Sequence, residues 1–600
     1  MPGPLSRLLA PLVLAASLLP LAALAQAEGP AEPSFDLEVR APAPAKDLLE
    51  SNLELRRYRE VHDLDEAELA RLVALAERDV RELLGTLGYF SPTIRIAREP
   101  GARPTIVVEV ALGEKTIVNS VEIGFEGAIA QATDESTVAQ REGIRKGWGL
   151  PAGQGFTQDA WDAAKAQALR RLSARRFLAG RIEDSLADID ATTNRAGLGL
   201  KLHSGPVYRL GPQKVTGVER YDPRLVPRLA RLPEGREYDR EELVRAQLRL
   251  TGSGYYDSAF IFVDPVDDPA AAPVQITVRE AKLQKLVLGA GITSDSGAQF
   301  SVQHTHNRVP GIGWRAINTL QVDRKLPFAQ SEWTAIPDET GWRWSLLGRA
   351  ERLEDGDLVT RGGRVRFGRF RNEEKIDRNI YVQFDQANVY SLSGAPVNDV
   401  DSGAGSSVSV NYVWTGRYFD SLPTPSSGFG VGLEFGGGYT LSGDRAPFQR
   451  TVLRWLQLRP LERGRLQFRA EGGAVLAKSS AQVPATQMFR TGGDTTVRGY
   501  GFRDIGVTLP NGEIGPGRYM AVGSLEWSRP IRRGGVDSEF DSLLFVDAGA
   551  VANEPRDLKP KVGVGAGVRW RSPIGPVQAA LAWGVEPRKL RLHFSVGFQF

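Results

Sequence analysis

The sequence predicts an α+β N-terminal half made of three repeated β-α-α-β-β modules, followed by a transmembrane antiparallel β-barrel of about sixteen strands. Three observations predict this division. Apolar residues recur at helical spacing between strand patterns as far as about residue 282. After residue 284 the helical spacing disappears, and short alternating segments marked by glycine continue to residue 600. No run of about twenty apolar residues follows the N-terminal segment, so the chain can enter a bilayer only through strands.

The first residues have the form of a secretory signal, which would take the chain out of the cytoplasm. Arg7 supplies the positive charge, residues 8–24 are mainly apolar, and an Ala-Leu-Ala cleavage pattern ends at Ala25. We therefore expect a signal peptide over residues 1–25, with cleavage after Ala25 or, as the second choice, after Ala27. A membrane anchor is the alternative, but two prolines and the short apolar length disfavour it.

The composition argues against several classes of function. A formal net charge of +3 over 600 residues gives no electrostatic reason to expect a nucleic-acid partner. The absence of cysteine excludes disulfides, thiolate catalysis and cysteine-ligated metal sites. His304 and His306 would project from one face of a strand and could hold a metal, but no third ligand accompanies them, and we interpret these two as solvated histidines of the barrel wall. The other histidines, His593 among them, indicate no site. With no legible nucleophile–base pair, the sequence predicts no catalytic, metal or cofactor site.

The N-terminal half contains a repeated pattern. A long amphipathic helix leads three times into a corner containing an aromatic residue, and two strand-like stretches follow each corner. The predicted long helices cover residues 64–87, 159–177 and 239–250. The order strand, helix, helix, strand, strand recurs at a spacing of roughly 75 to 95 residues, which indicates an array of similar modules. A coincidence among ordinary α+β segments is the alternative.

The C-terminal half has the alternation of barrel strands. It is clearest in residues 592–600, where the even-numbered residues are all apolar and share one face. Tryptophans and tyrosines gather near the strand ends, as in the interfacial girdles of membrane barrels. A soluble β-sandwich is the alternative, but about 315 residues of strand without a helix would make an unusually large one. The pattern favours a barrel.

One long loop carries the most specific signal. It joins the strands near residues 466–476 and 518–527, and it contains Arg498 among glycines and aromatic residues. Such a composition suits a segment folded into the barrel lumen, where a buried guanidinium needs a carboxylate partner. Glu526 has the lumen-facing parity of the next strand, and Asp547 lies one strand further along. The alternative is a flexible surface loop with an incidental arginine.

These residues match a known family. The segment Val497-Arg498-Gly499-Tyr500 resembles the VRG[FY] lid-loop motif of the BamA/TamA superfamily of outer-membrane assembly and secretion proteins. Residues 545–549 look like its FVDAG motif, residues 563–576 look like its next strand pair, and Phe600 looks like its terminal aromatic β-signal. The three N-terminal modules resemble POTRA domains. The resemblance implies that Arg498 is held by the acidic residues Glu526 and Asp547.

The number of modules separates the branches of this superfamily. The predicted domains are a signal peptide at 1–25, POTRA-like modules at 34–113, 115–204 and 206–282, and a barrel at 285–600. Three modules resemble the TamA branch. That resemblance implies a TamB-like partner anchored in the inner membrane, clients that are autotransporters or other outer-membrane polypeptides, and contact with outer-membrane lipid. The BamA branch usually carries five modules and two-partner secretion transporters carry two; both remain open, as does a passive porin.

The mechanism that we expect depends on the seam between the first and last barrel strands, near residues 286–292 and 592–600. If this seam is weak, it can open and expose a strand edge, to which an incoming strand could pair. Glycine near the seam would weaken side-chain packing there. The residues assigned to the seam and its terminal signal are Gly289, Gly291, Gly597, Phe598 and Phe600.

Overall fold

The computed structural model describes residues 33–61, 64–101, 103–265, 268–421, 425–572 and 575–596. The signal-peptide prediction lies outside these residues, and so do Gly597, Phe598 and Phe600. The chain forms two compact units: one contains the residues up to Arg209 with two short later segments, and the other contains the third module and the barrel. No helix in the described part of the chain is long and apolar enough to cross a bilayer.

Each N-terminal module is built on a three-stranded sheet, so the predicted α+β modules are confirmed. In every sheet the third strand of the module is central, parallel to the first and antiparallel to the second. The first module consists of β1 (Asp36–Arg40), α1 (Ala45–Asn52), α2 (Glu54–Tyr58), α3 (Glu66–Thr86), β2 (Thr93–Glu99) and β3 (Thr105–Ala111). The second consists of β4 (Ile117–Glu126), α4 (Ala128–Gln131), α5 (Glu135–Lys146), α6 (Gln158–Leu172), β5 (Arg181–Asp190) and β6 (Arg195–His203). The third consists of β7 (Leu210–Thr216), α7 (Leu225–Ala230), α8 (Arg240–Gly252), β8 (Tyr256–Val263) and β9 (Ala272–Glu280), with a short 3₁₀ turn before β9.

The first two modules differ from the predicted order by one extra short helix each. The long helices follow the apolar spacing of the sequence, as α3 illustrates. Asp65 accepts a hydrogen bond from the backbone N–H of Glu68 and so caps the N-terminus of the helix. Leu72, Val80 and their neighbours at the same spacing then bury one face of the helix against the first sheet.

The barrel is a single sheet of sixteen antiparallel strands in chain order, which confirms the predicted strand number. Its strands are β10 (Gln284–Thr293), β11 (Gly297–His306), β12 (Arg315–Val322), β13 (Phe328–Thr334), β14 (Arg343–Asp355), β15 (Leu358–Asn372), β16 (Ile376–Ser391), β17 (Gly405–Phe419), β18 (Gly428–Thr440), β19 (Pro447–Leu461), β20 (Gly464–Ala477), β23 (Tyr519–Arg533), β24 (Val536–Ala552), β25 (Lys561–Ser572), β26 (Gly575–Gly584) and β27 (Lys589–Val596). A four-residue helix, α9 (Asp399–Ser402), precedes β17, and a small hairpin of β21 (Val507–Thr508) and β22 (Ile514–Gly515) lies between β20 and β23.

Alternation along strands such as β24 separates an apolar outer face from a buried inner face. In β24, Leu544 and Val546 are exposed, whereas their neighbours Phe545 and Asp547 are buried. The third module contacts one end of this barrel: the side chain of Asn307, in the turn after β11, donates to the carbonyl oxygens of Gly254 and Lys282 at 3.2 and 3.0 Å. The long connection that contains the predicted lid lies at the other end.

The sheet is nearly closed, and the described residues of its first and last strands are joined by few hydrogen bonds. Among the described residues no ladder joins β10 to β27. The backbone N–H of Ser294 donates to the carbonyl oxygen of Phe594 at 3.4 Å, and the N–H of Phe594 donates to Oγ of Ser294 at 3.2 Å. Gly289 and Gly291 lie in β10, on the first edge of this seam.

Candidate functional site

The connection between β20 and β23 folds back into the barrel lumen. We call residues 478–518 the lid. Its apolar side chains pack against the inner wall and against one another instead of facing solvent. The buried members of this cluster are Ala446, Phe448, Val452, Val475, Ala481, Val483, Met488, Phe489, Val497, Tyr500, Ile505, Met520, Val522 and Val551. The lid therefore has its own packed core with the wall.

At the centre of the lid, Arg498 is buried against two wall carboxylates. Its Nε and Nη2 donate to Oδ2 and Oδ1 of Asp547 at 2.7 and 2.9 Å, which is a bidentate pair. Its Nη1 donates to Oε2 of Glu526 at 2.8 Å, and its backbone N–H also donates to Oδ2 of Asp547 at 3.1 Å. The guanidinium carbon lies 3.3 Å from the ring centroid of Phe545. The structure thus brings the three sequence-selected charges, Arg498, Glu526 and Asp547, into one cluster.

The cluster is balanced in charge and almost completely hydrogen-bonded. Arg569 of β25 contacts the second carboxylate oxygen of Glu526, and the Ser524 hydroxyl donates to Oδ1 of Asp547 at 2.7 Å. Two guanidinium groups therefore face two carboxylates. Because Asp547 is fully buried and Glu526 is nearly so, removal of one cation would leave a desolvated negative charge.

Glycine in the wall allows the lid backbone to approach this closely. A Cβ added at Gly563 would lie 1.8 Å from the carbonyl oxygen of Arg498, so no other residue fits without moving the lid. A Cβ at Gly549 would meet a methyl group of Val497 at 2.6 Å. Gly499 itself has a φ of +95°, in the region that favours glycine. Close contact between the lid and the wall, together with the backbone conformation at Gly499, thus explains why glycine occupies these positions around Arg498.

Two further wall carboxylates hold the lid, and sequence reasoning missed both of them. Asp355, at the end of β14, accepts from Arg490 at 3.3 Å and from Arg503 at 2.7 Å. Asp385, inside β16, is fully buried and accepts from the Thr486 hydroxyl at 3.1 Å. An acidic residue at a lumen-facing position of a strand was the available signal, but many barrel strands carry one.

His593, which was not selected from the sequence, also holds the lid. His593 is only 3% exposed, and its Nε2 accepts the backbone N–H of Gly499 at 2.9 Å. Its orientation follows from the alternation of β27, which turns this side chain toward the lumen and the lid. Because Nε2 accepts, the ring carries its proton on Nδ1.

The arrangement offers binding and not bond chemistry. Every ionisable group around Arg498 is already paired with a group of the lid or the wall. In the ranges that the structure describes, no group of three His, Asp or Glu side chains could hold a metal ion. His304 and His306 lie on the same face of β11, with their ring centroids 6.5 Å apart. What the site can do is hold or release a lumen-filling segment.

Comparison with known protein sequences gives two similarities. The model of the Omp85 superfamily domain matches residues 296–600. The outer membrane protein assembly factor BamA of Nitratidesulfovibrio vulgaris is 26% identical over 427 residues, which cover 64% of this chain and 50% of the relative. This chain therefore spans about half the length of that curated relative.

A solved structure of low sequence identity shares the fold. BamA from Haemophilus ducreyi lacking POTRA domains 1-3 superposes with a TM-score of 0.56 at 15% identity, over 80% of this chain and 99% of that one. CdiB from Acinetobacter baumannii gives a TM-score of 0.44 at 13% identity, over 80% of this chain and 90% of that one.

Proposed function

This chain belongs to the Omp85 superfamily, and from that membership and the lid geometry we propose that it is an outer-membrane assembly factor. It would insert other polypeptides into the outer membrane, or pass them across it, by pairing with them and without breaking bonds. The observation that carries this proposal is the combination of a lumen filled by an ion-paired lid with a seam whose described residues form few hydrogen bonds with each other. A polypeptide would then leave sideways through the seam, not straight through the lumen.

The filled lumen disfavours a passive porin. A porin needs an open aqueous channel, whereas the lid is packed against the wall and tied to it by buried carboxylates. A lid with such contacts would keep the conductance low while the protein is at rest. The barrel surface toward lipid is apolar, so the seam is the place where a strand edge could become available to a client.

The edge of β10 suits pairing with an incoming strand. An exposed strand edge presents unpaired N–H and C=O groups, which a client strand can satisfy by β-augmentation whatever its side chains are. Gly289 and Gly291 remove side chains from this edge, although a Cβ at Gly291 would meet nothing within 4 Å. The last strand, β27, would form the other edge of the seam. The residues that follow it, Gly597, Phe598 and Phe600, are assigned to the same edge from the sequence alone.

The finer form of the proposal is a TamA-like subunit. It is supported by three POTRA-like modules, because this number matches the TamA branch better than the five usual in BamA. In that case the partner is a TamB-like periplasmic protein anchored in the inner membrane, and the clients include autotransporters. A BamA-like general insertase is the second candidate, since the similar protein of N. vulgaris is named as an assembly factor of that kind. A two-partner secretion transporter is the third, and a single dedicated secreted substrate would identify it.

Locking the seam tests the lateral route. The chain contains no cysteine, so Ser294→Cys with Phe594→Cys places the only two thiols where the strands meet. We expect oxidation of this pair to stop the insertion of a labelled autotransporter client into vesicles that contain the full chain, and reduction to restore it. As a matched control, Leu288→Cys with Val302→Cys joins two strands that are already paired, and its oxidation should change nothing. Unchanged client insertion with the seam locked would rule out the lateral route.

A further inference from the structure

The lid touches both sides of the seam. On the first side, the backbone N–H of Asp494 donates to Oδ2 of Asp295, in the turn between β10 and β11, at 2.9 Å. On the last side, the backbone N–H of Gly499 donates to Nε2 of His593 in β27 at 2.9 Å. The two donors are only five residues apart in the lid. One short segment therefore bridges the two edges that must separate if the seam opens.

The bridging segment is held firmly between its two ends. Arg498 fixes it to the wall through Asp547, and Arg469 of β20 donates to the carbonyl oxygen of Thr496 at 3.1 Å. A Cβ at Gly493 would lie 2.3 Å from Oδ2 of Asp295, so the lid backbone is pressed against the turn there. Because the segment is fixed at several points, it cannot move with one edge of the seam unless its hydrogen bond to the other edge breaks.

The contacts made by the lid are also better formed than the direct contacts between the edges. The two lid hydrogen bonds measure 2.9 Å, whereas the direct bonds between Ser294 and Phe594 measure 3.2 and 3.4 Å. A third lid contact, between Asp504 and Arg591 of β27, measures 3.4 Å. Among the described residues near this end of the barrel, the lid thus supplies a large part of the hydrogen bonding across the seam.

We propose that residues 494–499 form a clasp across the seam, and that Asp295 and His593 are its positioning residues. The seam opens at this end only after the lid has released at least one edge. The use of the clasp in client insertion rests on the function proposed above, whereas the clasp itself concerns the barrel alone. It would keep the barrel closed until a client or a partner displaces the lid.

The distance across the seam tests the clasp without any client. In the cysteine-free chain, nitroxide labels on Ile292→Cys and Leu590→Cys would lie on the outer faces of β10 and β27, where both residues are exposed. Electron–electron double resonance on the full chain in phospholipid vesicles then measures their separation. We expect one narrow distribution for the parent, and a second population longer by at least one strand spacing, about 5 Å, for Asp295→Ala or His593→Phe.

The double variant gives the sharpest outcome. Loss of either hydrogen bond already disconnects the lid segment from one edge of the seam. Asp295→Ala with His593→Phe should therefore open the seam no further than either single change. Additive effects would overturn the clasp, because they would mean two independent contacts. Asp295→Asn and His593→Gln keep a hydrogen-bond acceptor, so both should retain the narrow distance distribution of the parent. Mobility in unheated gels shows whether each variant folds. If a variant at one edge does not fold, the variant at the other edge is used for the test.

A control separates the clasp from general loosening of the lid. Asp355→Asn weakens the hold of the lid on β14, four strands away from the seam, and touches neither edge. Its seam distance should equal that of the parent; an equal widening in this variant, or no widening in the single edge variants, would overturn the proposal. The two proposals can fail separately. If the edge variants widen the seam while the seam disulfide leaves client insertion unchanged, the clasp is supported and the lateral route is ruled out.

Discussion

At the scale of single residues, the geometry around Arg498 explains why an arginine occupies this position. The planar guanidinium reaches Asp547 with two parallel hydrogen bonds and Glu526 with a third from another direction. A lysine ammonium could satisfy one carboxylate but would leave the other without its partner in the lid. The charge balance with Arg569 then depends on this one side chain.

Replacement of Arg498 should therefore cost much stability. We expect Arg498→Ala to lower the free energy of unfolding by about 3–5 kcal/mol, because it leaves buried carboxylate charge uncompensated. Arg498→Lys should lower it less. Urea unfolding of the full chain in vesicles measures this. Arg454→Ala is the control: it removes a lumen-facing ion pair with Glu471 that is open to water, so it should cost less than about 1 kcal/mol. Equal losses in the two alanine variants would contradict the buried-charge argument.

How much of the site could be predicted depended on how local its signals are. Arg498, Glu526 and Asp547 were selected because a motif and strand parity mark them within a short stretch of sequence. Asp295 and His593 were not selected, since each meets the lid through a chain segment about 100 to 200 residues away in sequence. Nothing near either residue distinguishes it from an ordinary residue of the wall. Such contacts follow from barrel closure, which local patterns do not encode.

At the scale of elements, helix caps in the modules add local stability that depends on charge. Asp134 caps α5: it accepts the backbone N–H of Thr137 at 3.0 Å and the hydroxyl of Ser136 at 2.6 Å. Arg176, in the corner after α6, donates to the same carboxylate at 3.0 Å. These hydrogen bonds, those of Ser136 and Thr137 first, lower the pKa of Asp134 below its ordinary value.

The start of α5 should therefore loosen in acid. A carboxyl whose pKa is lower in the folded state stabilises fully above its unfolded pKa, about 4, and this contribution is lost as the pH falls further toward the folded value. Hydrogen exchange of the first-turn amides of α5 in the full chain should accelerate, relative to those of α6, below about pH 4. In Asp134→Asn this part of the pH dependence should disappear. An identical acid response in the variant would show that another group causes it.

The elements themselves followed their sequence patterns to different degrees. The long helices and the sixteen strands were predictable because periodicity accumulates over ten or more residues. The extra helices α2 and α4 were missed because they have five and four residues, too few to show a helical period. The lid has no regular pattern at all, since its course is set by side chains that meet the wall.

At the scale of the whole molecule, the partner is the property that most separates the candidate functions. The chain spans about half the length of the curated BamA relative, and its modules offer short sheet edges for other proteins. We expect affinity capture of the crosslinked full chain from native membranes to recover a large periplasmic protein anchored in the inner membrane. A tagged barrel without modules, taken through the same steps, is the control. Recovery of one dedicated secreted polypeptide instead would favour the two-partner reading.

The wall carboxylates that hold the lid belong to strands at different positions around the barrel: β14, β16, β23 and β24. A hollow barrel keeps its cross-section through strand pairing alone and can flatten in any direction under lateral stress from the bilayer. Here the lid braces the interior, so most of the circumference is stiff. Mechanical strain imposed by the membrane then acts on the junction of β10 with β27, where the lid contacts at Asp295 and His593 add to the direct bonds between Ser294 and Phe594.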